Sequence, residues 1–170
     1  MLGSYQKSLS LVLASEGGFV NRADDPGGAT NKGITLATFR QFVKPSGSIA
    51  DLQALTAEQA GIVYRAQYWA KVAGDDLPAG VDYAVFDFAV NSGPKQAATS
   101  LQRVIGAAMD GVIGPNTLAA VRDRPPAAVI TMVCNERLRF LERLPTWPTF
   151  GKGWAARVAR VQADALRMAA

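Results

Sequence analysis

Histidine is absent from all 170 residues. Zinc amidases and zinc carboxypeptidases hold their metal through imidazole, and Ser-His and Cys-His hydrolases use it as the base, so those mechanisms are excluded. Carboxylate chemistry remains. Cysteine is nearly absent too: the single Cys134 leaves no internal disulfide, and its neighbours Ile130, Met132 and Val133 predict a buried thiol. Long apolar runs are also missing. No stretch suffices to span a bilayer. Met1 to Leu13 lacks the basic start and unbroken apolar run of a secretion signal, because Ser4, Gln6, Lys7, Ser8 and Ser10 interrupt it.

What is present is the composition of a folded globular chain, 49% hydrophobic and 19% charged, of a length that suits one domain. The net charge of +4 is unevenly spread: residues 1–85 carry seven basic and eight acidic side chains, residues 86–170 eleven and six. Such a surplus fits an anionic partner, nucleic acid or the anionic cell wall, and equally a soluble surface with a mild bias.

Apolar positions Leu2, Leu9, Val12 and Leu13 predict a first helix closing at Glu16, with Gly17-Gly18 as its stop. The segment from Phe19 to Ile34 differs. Pro26, the glycines, and clustered Asn and Asp make it a loop or short hairpin, with Gly33 near its end. Thr35 to Val43 reads as a short helix, followed by a loop at Pro45 to Ser48. Thr56 and Gln59 form a capping box before a helix with a broad apolar and aromatic surface that includes Tyr64, Tyr68 and Trp69. Pro78 opens the next helix, which ends at Asn91-Ser92-Gly93. Pro94 starts another that Gly106 closes. Further helices follow from Pro115 to Val121, from Pro126 to Leu144 and from Thr149 to the C-terminus. The sum is a mainly α domain with one irregular, polar, Gly-rich segment near its front, where functional residues are expected.

Glycoside hydrolysis needs a carboxylic acid beside the leaving oxygen and a second group that activates water or attacks the sugar. A carboxylate at the negative end of a helix dipole is disfavoured and its protonated form gains. Glu16 at such a helix end is therefore a candidate acid; the other reading is an ordinary exposed glutamate. Asp25 lies nine residues further on and Thr30 five beyond that, so a loop folding back over the helix end would gather all three around one cleft. Asp25 would then orient or activate a water that Thr30 helps to hold. Asp24 is the rival for that role, and Asp24-Asp25-Pro26-Gly27 also reads as a plain turn. Neither the phosphate-loop pattern nor the alternating ligands of a calcium loop are met, and no metal or cofactor is expected.

Three strings extend the reading: Glu16-Gly17-Gly18-Phe19-Val20-Asn21, Asp25-Pro26-Gly27-Gly28, and Thr30-Asn31-Lys32-Gly33-Ile34-Thr35. Together they resemble the opening signature of the glycoside hydrolase family 108 N-acetylmuramidases. Trp69, Phe86 to Gly93, Leu101-Gln102 and Asp110-Gly111-Val112-Ile113-Gly114-Pro115-Asn116-Thr117 resemble the second half of those proteins, a peptidoglycan-binding domain of type 3. The resemblance covers nearly the whole chain. It implies a single lysozyme-like domain, with a catalytic signature half over about 1–90 and a helical half over about 91–170. It also implies hydrolysis of the β-1,4 bond between N-acetylmuramic acid and N-acetylglucosamine, as in phage endolysins. Glu16 falls on the family's catalytic glutamate. The spacing to Asp25 fits the phage-lysozyme pattern, whereas Thr30 comes one residue early and Thr35 is a weaker substitute.

Tyr68 and Trp69 are candidates to stack on sugar faces, with core packing as the alternative. Asn91 is a candidate to bond a substrate hydroxyl or N-acetyl group, and Asp87 one turn earlier either faces the same way or is buried and structural. Asp110, Gly111 and Gly114 read as turn formers, and Arg157 and Arg160 as a solvated face. The partner implied is peptidoglycan, met by a monomer that neither binds nucleic acid nor inserts into a membrane. On this reading the protein is made in the cytoplasm without a signal and reaches the wall after holin- or secretion-dependent release.

Overall fold

The computed structural model describes residues 2–21 and 28–170. Asp24 and Asp25 lie outside the described residues. Among those described the chain is mainly α, with one small hairpin after the first helix, and fits a lysozyme-like fold. It divides into two compact units, residues 6–67 and residues 1–5 with 68–170.

Helix α1 runs from Leu2 to Leu13. Tyr5, Ser8, Leu9 and Val12 are buried, the i, i+3, i+4, i+7 spacing of one helix face. The helix stops three residues before the expected end. Its last turn tightens, with Ser15 N–H bonding the Val12 carbonyl at 2.9 Å and Glu16 N–H the Leu13 carbonyl at 3.3 Å. Glu16 therefore sits in the bend beyond the helix.

In the unit of residues 6–67, strands β1 (Thr30–Asn31) and β2 (Ile34–Thr35) pair antiparallel through the two-residue turn Lys32-Gly33. Both turn residues have positive φ, +50° and +72°, as the primed turns of tight hairpins require. Val20 extends the ribbon on the other side of Thr30, with reciprocal bonds of 2.8 Å. Helix α2 (Leu36–Phe42) follows at once because Thr35 caps it.

Helix α3 (Ile49–Gln53) is absent from the sequence reading, yet its signal is local: Ser48 and Asp51 form a capping box. The Asn31 amide ties the hairpin to the end of α3, donating to the carbonyls of Leu52 at 2.9 Å and Gln53 at 3.1 Å. Helix α4 (Ala57–Tyr64) carries the expected Thr56–Gln59 box. It widens into a π-helical turn, Arg65–Trp69, and a 3₁₀ turn, Ala70–Val72.

In the other unit α5 (Val81–Ser92) is the central helix, with Val81 to Ala89 all buried. Helices α6 (Pro94–Ile105), α8 (Pro126–Glu142) and α9 (Trp147–Ala169) pack around it, and α7 (Pro115–Arg122) lies against α6 and α8. Helix α5 begins three residues later than Pro78 suggests. Gly80 precedes it at φ +82°, and a Cβ there would lie 2.2 Å from the Ala165 carbonyl oxygen. Helix α9 starts earlier than expected, since Pro148 is accommodated in its first turn.

Burial on every side obliges the two aspartates of α5 to find partners. Asp82 takes the Ser4 hydroxyl and the Tyr83 amide. Burial raises its carboxyl above the usual range, against the opposing pull of those bonds. Asp87 accepts from Arg137 Nη1 at 2.7 Å and from Arg157 Nε and Nη2 at 3.1 and 2.9 Å. There burial pushes upward, and the two guanidinia outweigh it and hold the carboxyl below its ordinary value.

Cys134 is buried as its neighbours predict, and burial pushes its thiol up to about 12. At pH 8 it therefore stays protonated and closed to reagents. Native protein is expected to resist a thiol reagent such as dithionitrobenzoate over hours and to release one equivalent of colour once unfolded. Rapid reaction in the folded state would contradict this placement.

Candidate active site

The Lys32-Gly33 turn and Glu16 form the centre of the candidate site. Gly33 is exposed, and the point where a side chain would begin on it lies 3.3 Å from Glu16 Oε2 and 3.2 Å from the Tyr64 hydroxyl. A hydrogen in place of a side chain thus leaves the carboxylate of Glu16 an open approach. Glu16 is half-buried. The hairpin beneath it is fixed by the Val20 pairing, by Asn31 on α3 and by Tyr64, whose hydroxyl donates to the Lys32 carbonyl at 2.8 Å.

Thr30 lies in the middle of this ribbon. Its backbone is paired to Val20 and Thr35, and its hydroxyl donates to the Gly28 carbonyl over a long 3.4 Å. Thr35, the weaker alternative, caps α2: its oxygen accepts from the Thr38 amide at 3.2 Å and donates to the Thr38 hydroxyl at 3.0 Å.

The aromatic candidates separate. Trp69 is 0% exposed, with ring centroids of Tyr5 and Phe86 at 5.0 and 5.3 Å, and its indole N–H donates to Asp75 at 3.0 Å. Its faces are covered and its one polar group is satisfied, so the expectation that Trp69 stacks on sugar is corrected to core packing. Tyr68 is half-buried in the π-helical turn.

Asn91 is exposed at the end of α5, where it accepts from the Ser92 hydroxyl at 3.3 Å. Beside that helix end lies an open depression of about 410 Å³ lined by Ser92, Gly93, Pro94, Lys95, Gln96 and Thr99. Asp87 does not share Asn91's surroundings; it belongs to the buried arginine cluster, and Arg157, expected on a solvated face, is its partner. Glu16 and Thr30 fall in the unit of residues 6–67, and Tyr68, Trp69 and Asn91 in the other.

The string from Asp110 to Thr117 is held from within. The buried amide of Gln102 accepts from the Gly111 N–H at 2.9 Å, and its nitrogen lies 2.7, 2.9 and 3.2 Å from Asp110 Oδ1, the Val112 carbonyl and the Thr117 hydroxyl. Asp110 in turn accepts from the Val112 N–H at 2.9 Å. This is turn architecture, as the residue types suggest.

Gly33 and Tyr64 are the site residues that the sequence did not single out. A signal existed for Gly33, since a short polar turn between strands calls for positive φ. Tyr64 carried none: it reads as one more apolar position on α4. Among the described residues no group of three His, Cys, Asp or Glu side chains could hold a metal ion, and no helix is long and apolar enough to cross a membrane.

The family model described as "Glycosyl hydrolase 108" matches residues 9–93, and that described as "Predicted Peptidoglycan domain" matches residues 96–159. Among solved structures the chain is similar to SagA of Brucella abortus, at 50% identity over 99% of this chain and 97% of that one, with a TM-score of 0.84. No curated protein matches. The first family match takes in the end of α1, Glu16, the hairpin with Gly33, and Tyr64.

Proposed function

The chain belongs to the glycosyl hydrolase 108 family and is a glycoside hydrolase acting on peptidoglycan, and from that premise we propose that it is an N-acetylmuramidase with Glu16 as its general acid. The bond cut is the β-1,4 link from N-acetylmuramic acid to N-acetylglucosamine. One observation carries the reading: the Glu16 carboxylate stands beside the bare, exposed Cα of Gly33 on a hairpin pinned at several points.

The steps follow from the needs of glycosidic cleavage. Glu16 gives its proton to the glycosidic oxygen as the bond to the muramic acid C1 breaks, so the leaving sugar departs as an alcohol. A water attacks C1 from the opposite face and passes a proton to Asp25, with Thr30 holding that water. Solvent then resets both carboxyls. Tyr68 and Asn91 are the candidate glycan contacts that remain, and no step draws on a cofactor.

Mass spectrometry of purified peptidoglycan after digestion tests this directly. Fragments ending in reducing N-acetylmuramic acid are the expected product. Anhydro ends would reassign the protein as a lytic transglycosylase, in which the sugar's own hydroxyl replaces water. Reducing N-acetylglucosamine ends would move the cut to the other glycosidic bond. A wall preparation that is bound and left intact would mean a binding or secretion-helper protein on the same fold.

A further inference from the structure

Tyr64 is 2% exposed at the end of α4, and its ring has an ordinary place in the core. Its hydroxyl has a more particular one. It donates to the carbonyl of Lys32, a residue 32 positions away, at 2.8 Å. Lys32 is one of two non-glycine residues with positive φ among those described, and an L-residue disfavours that conformation because Cβ crowds the following carbonyl. The bond from Tyr64 therefore holds the carbonyl of the one strained residue in the hairpin, next to Gly33. Any relaxation of Lys32 would swing Gly33, and with it the open ground that lies 3.3 Å from Glu16 Oε2.

We propose that Tyr64 is a positioning residue for glycan cleavage: its hydroxyl clamps the Lys32-Gly33 turn so that the side-chain-free surface of Gly33 stays in register with the Glu16 carboxylate. The substrate's scissile region approaches over Gly33. Tyr64 acts through the turn, and the turn's shape is what the reaction needs. The inference rests on Glu16 as the acid.

Four variants test it with soluble, uncrosslinked glycan strands, at a temperature well below each variant's melting midpoint. Tyr64→Phe keeps the ring and its packing and removes the clamp. Its kcat is expected to fall about tenfold or more, the scale that small misplacements of reacting groups produce, with KM changed less than about twofold. Adding Lys32→Gly to Tyr64→Phe removes the strain that the clamp opposes, and is expected to restore at least half of the lost kcat. A residue that merely packs would give neither the split nor the rescue. Gly33→Ala puts a methyl group on the approach and is expected to lower kcat by about tenfold or more, independently of how Tyr64→Phe folds. Glu16→Gln is the reference.

Wild-type kcat in Tyr64→Phe beside an inactive Glu16→Gln overturns the clamp and leaves the general acid standing. Failure of Lys32→Gly to rescue also overturns it. Wild-type turnover in Gly33→Ala rules out the approach over Gly33. Turnover that survives Glu16→Gln overturns the acid reading itself, and this inference with it.

Discussion

Glu16→Gln is expected to reduce glycan cleavage by about 10²- to 10⁴-fold, the range that general acid catalysis contributes, while leaving the fold intact. Glutamine fills the same space beside Gly33 and can still accept a hydrogen bond, but it has no acidic proton to give to the glycosidic oxygen. Glu16 is only half-buried, so the stability change should stay within about 0.5 kcal/mol, as for exposed positions. Glu16→Asp separates charge from reach: the acid survives but is withdrawn by one methylene. A shift of about 1 Å costs on the order of a hundredfold, so this variant should resemble the glutamine more than the wild type. Zymography on wall-impregnated gels, with melting curves on the same preparations, reads both quantities. Glu16→Gln retaining more than about a tenth of the wild-type rate would rule Glu16 out as the principal acid.

The largest stability effect is expected at Asp87. Arg137 is 1% exposed, and its Nε and Nη2 have no hydrogen-bond partner among the described residues; Asp87 is its charge partner, and the Phe88 ring lies 5.3 Å away. Asp87→Ala would strand that guanidinium, and breaking a buried pair from one side costs about 3–5 kcal/mol, a large part of the roughly 5–15 kcal/mol that holds a domain together. Arg157→Met should cost much less. Arg157 is 16% exposed, and its removal leaves Asp87 and Arg137 as a neutral pair.

The pH dependence separates the two aspartates of α5. Asp87 has a lowered folded value, so its contribution is fully present above its unfolded value of about 3.9 and fades as pH falls through the folded one. Asp82, raised by burial, works the other way: its contribution is full below its unfolded value and is lost as pH rises through the folded one. Removing Asp87 should therefore lessen the loss of stability below about pH 3.9, while the gain that Asp82 gives as pH falls towards that value is unchanged. Urea unfolding at stepped pH measures this, and an acid slope unchanged in Asp87→Asn would contradict it.

Much of the helical frame was legible because its signals are local. The capping box at Thr56, the prolines at 94, 115 and 126 and the closing Gly106 each act within one turn of chain, and each falls where expected. The irregular front segment likewise told of its hairpin. Errors came where distant atoms decide. The start of α5 depends on the Ala165 carbonyl against Gly80. Trp69 has the residue type of a sugar platform, and only its burial among Tyr5, Phe86 and Asp75 makes it core. Tyr64 shows the converse, since an apolar-looking helix position turns out to bond a carbonyl half a unit away in sequence. Asp87 and Arg157 are 70 residues apart, and no local pattern pairs them.

The Gln102 amide, finally, alters what the string from Asp110 to Thr117 means as a unit of heredity and of engineering. Its polar groups are spent on one another and on a side chain eight residues upstream of its first member. The portable module is therefore the whole interval 102–117, helix end included. A cassette cut at Asp110 and moved to another scaffold would leave behind the amide that ties Asp110, Gly111, Val112 and Thr117 together.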